Sequence, residues 1–255
     1  MRTINKNKVG RSNNQPNNEK HIIKEKKKFL EKVRRDVPDI SNFGSLLTSR
    51  QEITRILYYN QIYQNLLNKP GVIMEFGVEY GSTLSLLSKF RGIYEPYNFS
   101  RKIIGFDTFS GFEKSLTKGE EKFGWKRGDY SVPKGYEKTL EKILNLDEKL
   151  SPLSHIKKFE LIKGDASKTV GAYLKKNPET IIGMAVFDMD VYKPTKEVLK
   201  AIKHRLFKGT ILVFDEINLS EFPGETIALL EEIDIRDLKL QSFHGETFGC
   251  WAILN

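Results

Sequence analysis

MEFGVEYGSTLSLL, residues 74–87, changes its period in the middle. Up to Phe76 it continues an apolar, β-prone run, VIMEF (72–76), and from Ser82 onward Leu84, Leu86 and Leu87 recur at helical spacing. Between the two, Gly77 and Gly81 let the backbone turn tightly and approach a ligand just before a helix begins. A strand, a glycine-containing turn and a helix in this order form the first unit of an α/β sheet.

The same alternation repeats along the chain. KIIGF (102–106), FELIKG (159–164), GMAVFD (183–188) and TILVFD (210–215) read as buried parallel strands. Helices are expected at 82–90, 136–149, 167–176, 194–206 and 224–233, with Pro194 suited to a first helical turn. LKLQSF (238–243) and GCWAIL (249–254) read as a closing antiparallel pair. The expected fold is a Rossmann-like α/β domain over 71–255: a mostly parallel seven-stranded sheet with an antiparallel last strand. The segment 108–135 is long for a connection and carries Phe109, Phe112, Phe123, Trp125 and Tyr130, so a lid-like insertion is expected there.

Ahead of this domain, Ser49 and Glu52 form a capping-box pair before Ile53, Ile56, Leu57, Tyr63 and Leu66, which predicts a helix ending near Pro70. Residues 20–70 are thus an N-terminal helical segment. Within it, EKHIIKEKKKFLEKVRR (19–35) reads as a basic amphipathic helix, suited to docking on its own domain or on a second subunit of a homo-oligomer ahead of a membrane or nucleic-acid contact. Residues 1–19, rich in Asn, Lys and Arg, bury too little to offset the entropy of ordering and are expected to be a disordered basic tail.

The 255 residues carry a formal charge of +9. Residues 1–50 hold 13 Lys/Arg against 5 Asp/Glu, leaving 29 basic and 28 acidic residues for the rest. A nearly neutral body argues against a nucleic-acid groove, which would have to be part of the folded surface. No apolar run approaches the roughly 20 residues of a membrane span, and there is no secretory h-region, so a cytoplasmic protein is expected. The single Cys250 excludes an internal disulfide and reads as a small buried hydrophobe.

Open parallel sheets bind ligands beyond the carboxyl ends of their strands. There, Glu75, Gly77, Gly81 and Ser82 form the first loop. Asp107 after strand two is placed to accept from ribose hydroxyls. Asp165 and Ala166 after strand three would admit a flat base and accept from its exocyclic amine. The loop alone reads equally as an ordinary turn, but with these acids it describes a nucleoside pocket. G-x-G-x-x-G is absent, and Glu75 would repel a pyrophosphate, so a cationic sulfonium such as S-adenosylmethionine suits the pocket better than a dinucleotide. Asp188 and Asp190 end strand four, and Asp215 and Glu216 end strand five. Strands about 4.8 Å apart make these carboxylates neighbours. Their repulsion calls for a hard cation such as Mg²⁺, unless two of them cap helices or pair with Lys193 and Lys196.

Over residues 45–255 the chain resembles the macrocin-type (TylF-like) sugar O-methyltransferases of antibiotic and glycan pathways, which have the class I S-adenosylmethionine-dependent fold. The resemblance runs through Ser49-Arg50-Gln51, MEFGVEYGSTLSLL (74–87), IIGFDTFSGF (103–112), KGDASKTV (163–170), FDMDVYKPTKEVL (187–199), KGTILVFDEI (208–217) and Phe222-Pro223-Gly224-Glu225. It implies metal ligation by Asp188, Asp215 and Glu216, with Asp-Asp common in the family where Asp215-Glu216 stands here. It also implies catalytic roles for Asp188 and Asp190, the latter as candidate general base, and cofactor contacts from Glu75, Asp107, Asp165 and Asp188. The implied acceptor is a nucleotide-linked sugar or glycan. Another small hydroxylated metabolite is the alternative, although Val191 stands where the catechol-type pattern has lysine. An RNA-associated, non-catalytic module would be a different class. His244, in the 244–248 turn, reads as a surface or packing residue.

Overall fold

The computed structural model describes residues 19–37, 44–112, 125–220, 222–245 and 249–255. The expected tail up to residue 18, the 113–124 part of the expected lid and residues 246–248 beside His244 lie outside the described residues. The chain divides into two compact units, Met1–Leu57 and Tyr58–Asn255.

In the first unit, α1 (Glu19–Asp36) leaves Ile22 and Phe29 exposed, and α2 (Gly44–Leu47) is a single turn too short to carry a periodic signal. The capping box forms at the start of α3 (Arg50–Leu66). The Glu52 amide donates to Ser49 Oγ at 3.1 Å, and the Ser49 amide donates back to the Glu52 carboxylate.

The second unit begins inside α3, where Tyr58, Tyr59, Ile62, Tyr63 and Leu66 bury one helical face. It continues with β1 (Val72–Phe76), α4 (Ser82–Tyr94), β2 (Ile103–Asp107), α5 (Tyr136–Lys149), β3 (Phe159–Lys163) and α6 (Ala166–Lys176). Then come β4 (Ile182–Phe187), α7 (Tyr192–Ile202), β5 (Ile211–Phe214), α8 (Gly224–Glu232), β6 (Leu238–Ser242) and β7 (Cys250–Leu254). The seven strands lie in the order β3-β2-β1-β4-β5-β7-β6, parallel except for β7, which runs antiparallel to both its neighbours. α7 starts two residues before the expected 194, with Pro194 still in the first turn, where its missing N–H costs nothing. Among the described residues no helix is long and apolar enough to cross a membrane.

Alternation along each strand sends side chains to two apolar layers. Met74, Phe76, Ile104, Phe106, Phe187, Leu212 and Phe214 pack with Val170 of α6, Leu199 of α7 and Leu229 of α8. Ile73, Ile103, Met184, Val186, Ile211 and Val213 pack with Tyr59 of α3, Leu84 of α4 and Leu144 of α5. Each such buried side chain contributes about 1.5–3 kcal/mol. Cys250 is buried in the first layer, as its reading predicted, and burial pushes its thiol up to about 12.

Two ion clusters sit where charge is not expected. Arg101, 1% exposed, donates to both carboxylate oxygens of Glu95 and to the carbonyls of Lys69 and Gly71. Arg91 and Lys158 converge on Glu148, at 2.8 Å and 2.7 Å, and all three are buried.

Candidate active site

The site is aligned by one rung of the sheet. Phe106, Phe76, Phe187 and Phe214 are register partners on four adjacent strands, and their rings stack at centroid separations of 5.1, 5.4 and 5.0 Å. The next residues along these strands are Asp107, Gly77, Asp188 and Asp215. The stacked rings fix the register, so these four positions form one row at the carboxyl edge. Backbone bonds extend the row past the strands, from the Asp188 amide to the Phe76 carbonyl (2.9 Å) and from the Asp215 amide to the Phe187 carbonyl (3.1 Å).

Gly77 has φ of 93°, and a Cβ there would lie 1.7 Å from the Asp188 carbonyl oxygen. Only glycine allows both the backbone angle and the contact. Gly81, with φ of 79°, caps α4 without a side chain, and a Cβ would meet Leu140 of α5 at 2.4 Å. The exposed Ser82 opens the helix whose unbonded amides face the loop. Asp107, expected to meet a ribose, fastens this loop: its Oδ2 accepts from the Val78 and Glu79 amides (2.6 and 2.8 Å) and its Oδ1 from the Phe109 amide (2.6 Å). A carboxylate offers about four lone-pair sites, so three backbone donors leave capacity for one more.

Asp165 caps α6 through Ser167, accepting from its amide (3.0 Å) and hydroxyl (2.6 Å). Burial favours its neutral form, but the bonds from Ser167 and Lys168 outweigh that and hold it below the ordinary carboxylate range. Ala166 is 7% exposed and packs into the first apolar layer, and Glu75 is 1% exposed beneath the glycine loop. His244 is exposed.

Beyond β4 and β5 the carboxylates crowd. Burial pushes Asp190 up to about 7; a hydrogen bond with Glu216 opposes the shift, while the charges of Asp215 and Glu79 add to it. Burial, then Asp190, Glu225, Asp215 and Asp188, drive Glu216 far higher. Asp190 also holds a left-handed φ of 61°, strain of a kind that gathers at functional sites. Glu225 is a member of this group that sequence reading placed only at the end of a resemblance. Fully buried, it accepts from the Met189 amide (3.2 Å) and the Glu216 amide (3.3 Å), bridging the loops after β4 and β5. Gly224 beside it would place a Cβ 2.5 Å from the Tyr192 nitrogen, so α8 and the 189–192 loop must meet backbone to backbone. Apart from that resemblance, the sequence signal for Glu225 is an acid in the first turn of an apolar helix. Among the described residues no three Asp, Glu, His or Cys side chains are drawn together at metal-binding distances. The donor chemistry nonetheless fits a hard dication, because opposing charge would relieve the repulsion that raises Asp190 and Glu216.

The sequence matches no family model and no curated protein. Solved structures do match. The chain is 35% identical to CalS11, the calicheamicin methyltransferase, covering 90% of this chain and 91% of that one at a TM-score of 0.81. A second CalS11 structure, described as the apo TDP-rhamnose 3′-O-methyltransferase of calicheamicin biosynthesis, shows 34% identity over 94% and 95% of the two chains, again with a TM-score of 0.81. The O-methyltransferase NovP, at 16% identity and a TM-score of 0.62 over 80% of each chain, shares the fold. The glycine loop, the aspartate row and this identity over nearly the whole length place the chain in the macrocin-type (TylF-like) family, as a class I S-adenosylmethionine-dependent O-methyltransferase.

Proposed function

We propose that this enzyme methylates a hydroxyl of a sugar carried on a nucleotide or a larger glycan in the cytoplasm, with a divalent cation, most simply Mg²⁺, at the carboxylate rim. The observation that carries the acceptor class is the 35% identity, over nine-tenths of both chains, to a methyltransferase described as acting on TDP-rhamnose. Glu75, Gly77, Gly81, Ser82, Asp107, Asp165, Ala166 and Asp188 hold S-adenosylmethionine. The tight Gly77 turn admits the backbone to the ligand, and the acids supply acceptors and negative charge near the sulfonium.

Asp188, Asp215 and Glu216 would hold the cation, and its positive charge would lower the pKa of a neighbouring hydroxyl. Asp190, in its strained position in the loop after β4, takes the hydroxyl proton on its carboxylate. The acceptor oxygen then displaces sulfur in line: the O–C bond forms as the S–C bond breaks, and S-adenosylhomocysteine leaves. Asp188 and the Gly77 loop lie against each other, which supports a methyl donor and a cation sharing one site.

Incubating the enzyme with S-adenosylmethionine and TDP-rhamnose, with Mg²⁺ or with EDTA, tests the reading. S-adenosylhomocysteine and a methylated sugar should form in equal amounts. EDTA, or the substitution Asp215→Asn, should lower kcat/KM on the order of 100-fold, equivalent to about 2.7 kcal/mol of charge stabilisation. Full activity in EDTA contradicts the cation, and transfer to phenols but to no sugar contradicts the acceptor class.

A further inference from the structure

A short turn carries one aromatic side chain to the carboxylate rim. The Gly128 amide donates to the Phe112 carbonyl (2.9 Å) and the Phe112 amide to the Asp129 carbonyl (3.0 Å), tying the 128–129 edge of the turn to Phe112. Gly111 approaches so closely that a Cβ would lie 2.2 Å from the Asp129 oxygen. Inside the turn the Lys126 amide donates to the Asp129 carboxylate at 2.9 Å. Tyr130 emerges with φ of 62°, a conformation bulky residues rarely adopt and one that persists only where the surroundings impose it.

Its ring packs on Phe112 and Trp125, at 5.2 and 5.7 Å, and Trp125 packs on Phe222 at 4.7 Å. Phe222 leads directly into Gly224 and Glu225, which set the carboxylate loops. The aromatic stack is thus fastened to the element that shapes the rim. Tyr130 still keeps 47% of its surface exposed. The charges that bear on its phenol are those of Asp190, Glu216, Glu79 and Asp188. Neither packing nor register requires an exposed aromatic ring held in a strained backbone on a stack that ends at Phe222.

We propose that Tyr130 is an acceptor-binding residue: the sugar ring of the acceptor lies against its exposed face, and its phenol donates a hydrogen bond to the sugar while the reacting hydroxyl turns to the rim. An aromatic face suits the C–H side of a pyranose, and the phenol suits its polar edge. A phenol is protonated at neutral pH and is therefore a donor. The inference rests on the sugar O-methylation proposed above.

Steady-state kinetics of the wild type, Tyr130→Ala and Tyr130→Phe with S-adenosylmethionine and TDP-rhamnose test it, alongside titration of S-adenosylhomocysteine. Tyr130→Ala should raise the acceptor KM roughly ten-fold or more, equivalent to about 1.4 kcal/mol. The S-adenosylmethionine KM and the S-adenosylhomocysteine Kd should move by less than about two-fold. Tyr130→Phe, which keeps the ring and loses the donor, should fall between the wild type and Tyr130→Ala. An unchanged acceptor KM in Tyr130→Ala, or constants for both substrates rising together, overturns the inference while an active wild type leaves the sugar reading standing. A wild type that binds S-adenosylhomocysteine but methylates no sugar nucleotide overturns both.

Discussion

Replacing Gly77 by alanine is expected to weaken S-adenosylmethionine binding by roughly 100-fold or more, the scale on which a misplacement of about 1 Å costs an active site. The added methyl would meet the Asp188 carbonyl oxygen at 1.7 Å and its carbon at 2.5 Å, and both are backbone atoms with no rotamer to yield. Relief requires the ends of β1 and β4 to part, which pulls on the stacked Phe76 and Phe187 rings and shifts Asp188. The φ of 93° adds strain that alanine cannot relax. Gly171→Ala is the matched control. It lies inside α6 with nothing within 4 Å of the added carbon. It should leave binding unchanged and stabilise the fold by about 0.5–1 kcal/mol. Calorimetric titration of both variants separates the two outcomes, and wild-type affinity in Gly77→Ala would refute the close approach.

The largest loss of stability is expected at Glu148, far from the site. Its carboxylate receives Arg91 through both oxygens (2.8 and 3.1 Å) and the Lys158 ammonium (2.7 Å), and it also accepts from the Lys158 amide (3.3 Å). Lys158 is further held by the carbonyls of Pro152, Leu153 and Ile156. Removing the carboxylate leaves two buried cations facing each other without the charge that reconciles them. Glu148→Ala should cost about 3–5 kcal/mol. At this domain size that lowers the melting temperature by roughly 10 °C or more. Glu148→Gln keeps the shape and loses the charge, and should fall short of wild type as well. A melting temperature within a degree or two of wild type for both would show that the carbonyls alone satisfy the cations.

The strands were legible because each places apolar side chains on both faces of a covered sheet, and such runs survive as short β-branched and aromatic stretches between polar turns. Even the register was written in the sequence: GFD, EFG, VFD and VFD put a phenylalanine one residue before each position of the row. The capping box formed for an equally local reason. What could not be read depends on partners distant in the chain. Glu148, Arg91 and Lys158 look like ordinary surface charges until α4, α5 and the approach to β3 bring them together. Asp107 was read as a ligand acceptor, and its added service to the Val78, Glu79 and Phe109 amides had no local signal. Glu225 escaped for the same reason, since its partners Met189 and Glu216 are main-chain amides on two other loops. α2, at four residues, is shorter than any periodic signal.

Titration of S-adenosylmethionine and S-adenosylhomocysteine into the purified chain by calorimetry, with NAD as the control, bears most directly on the glycine loop and the aspartate row as a methyl-donor site. Saturable binding of both adenosyl ligands at one site per chain, abolished by Gly77→Ala and absent for NAD, is the predicted result. Binding of NAD, or of neither adenosyl ligand with or without Mg²⁺, would contradict it.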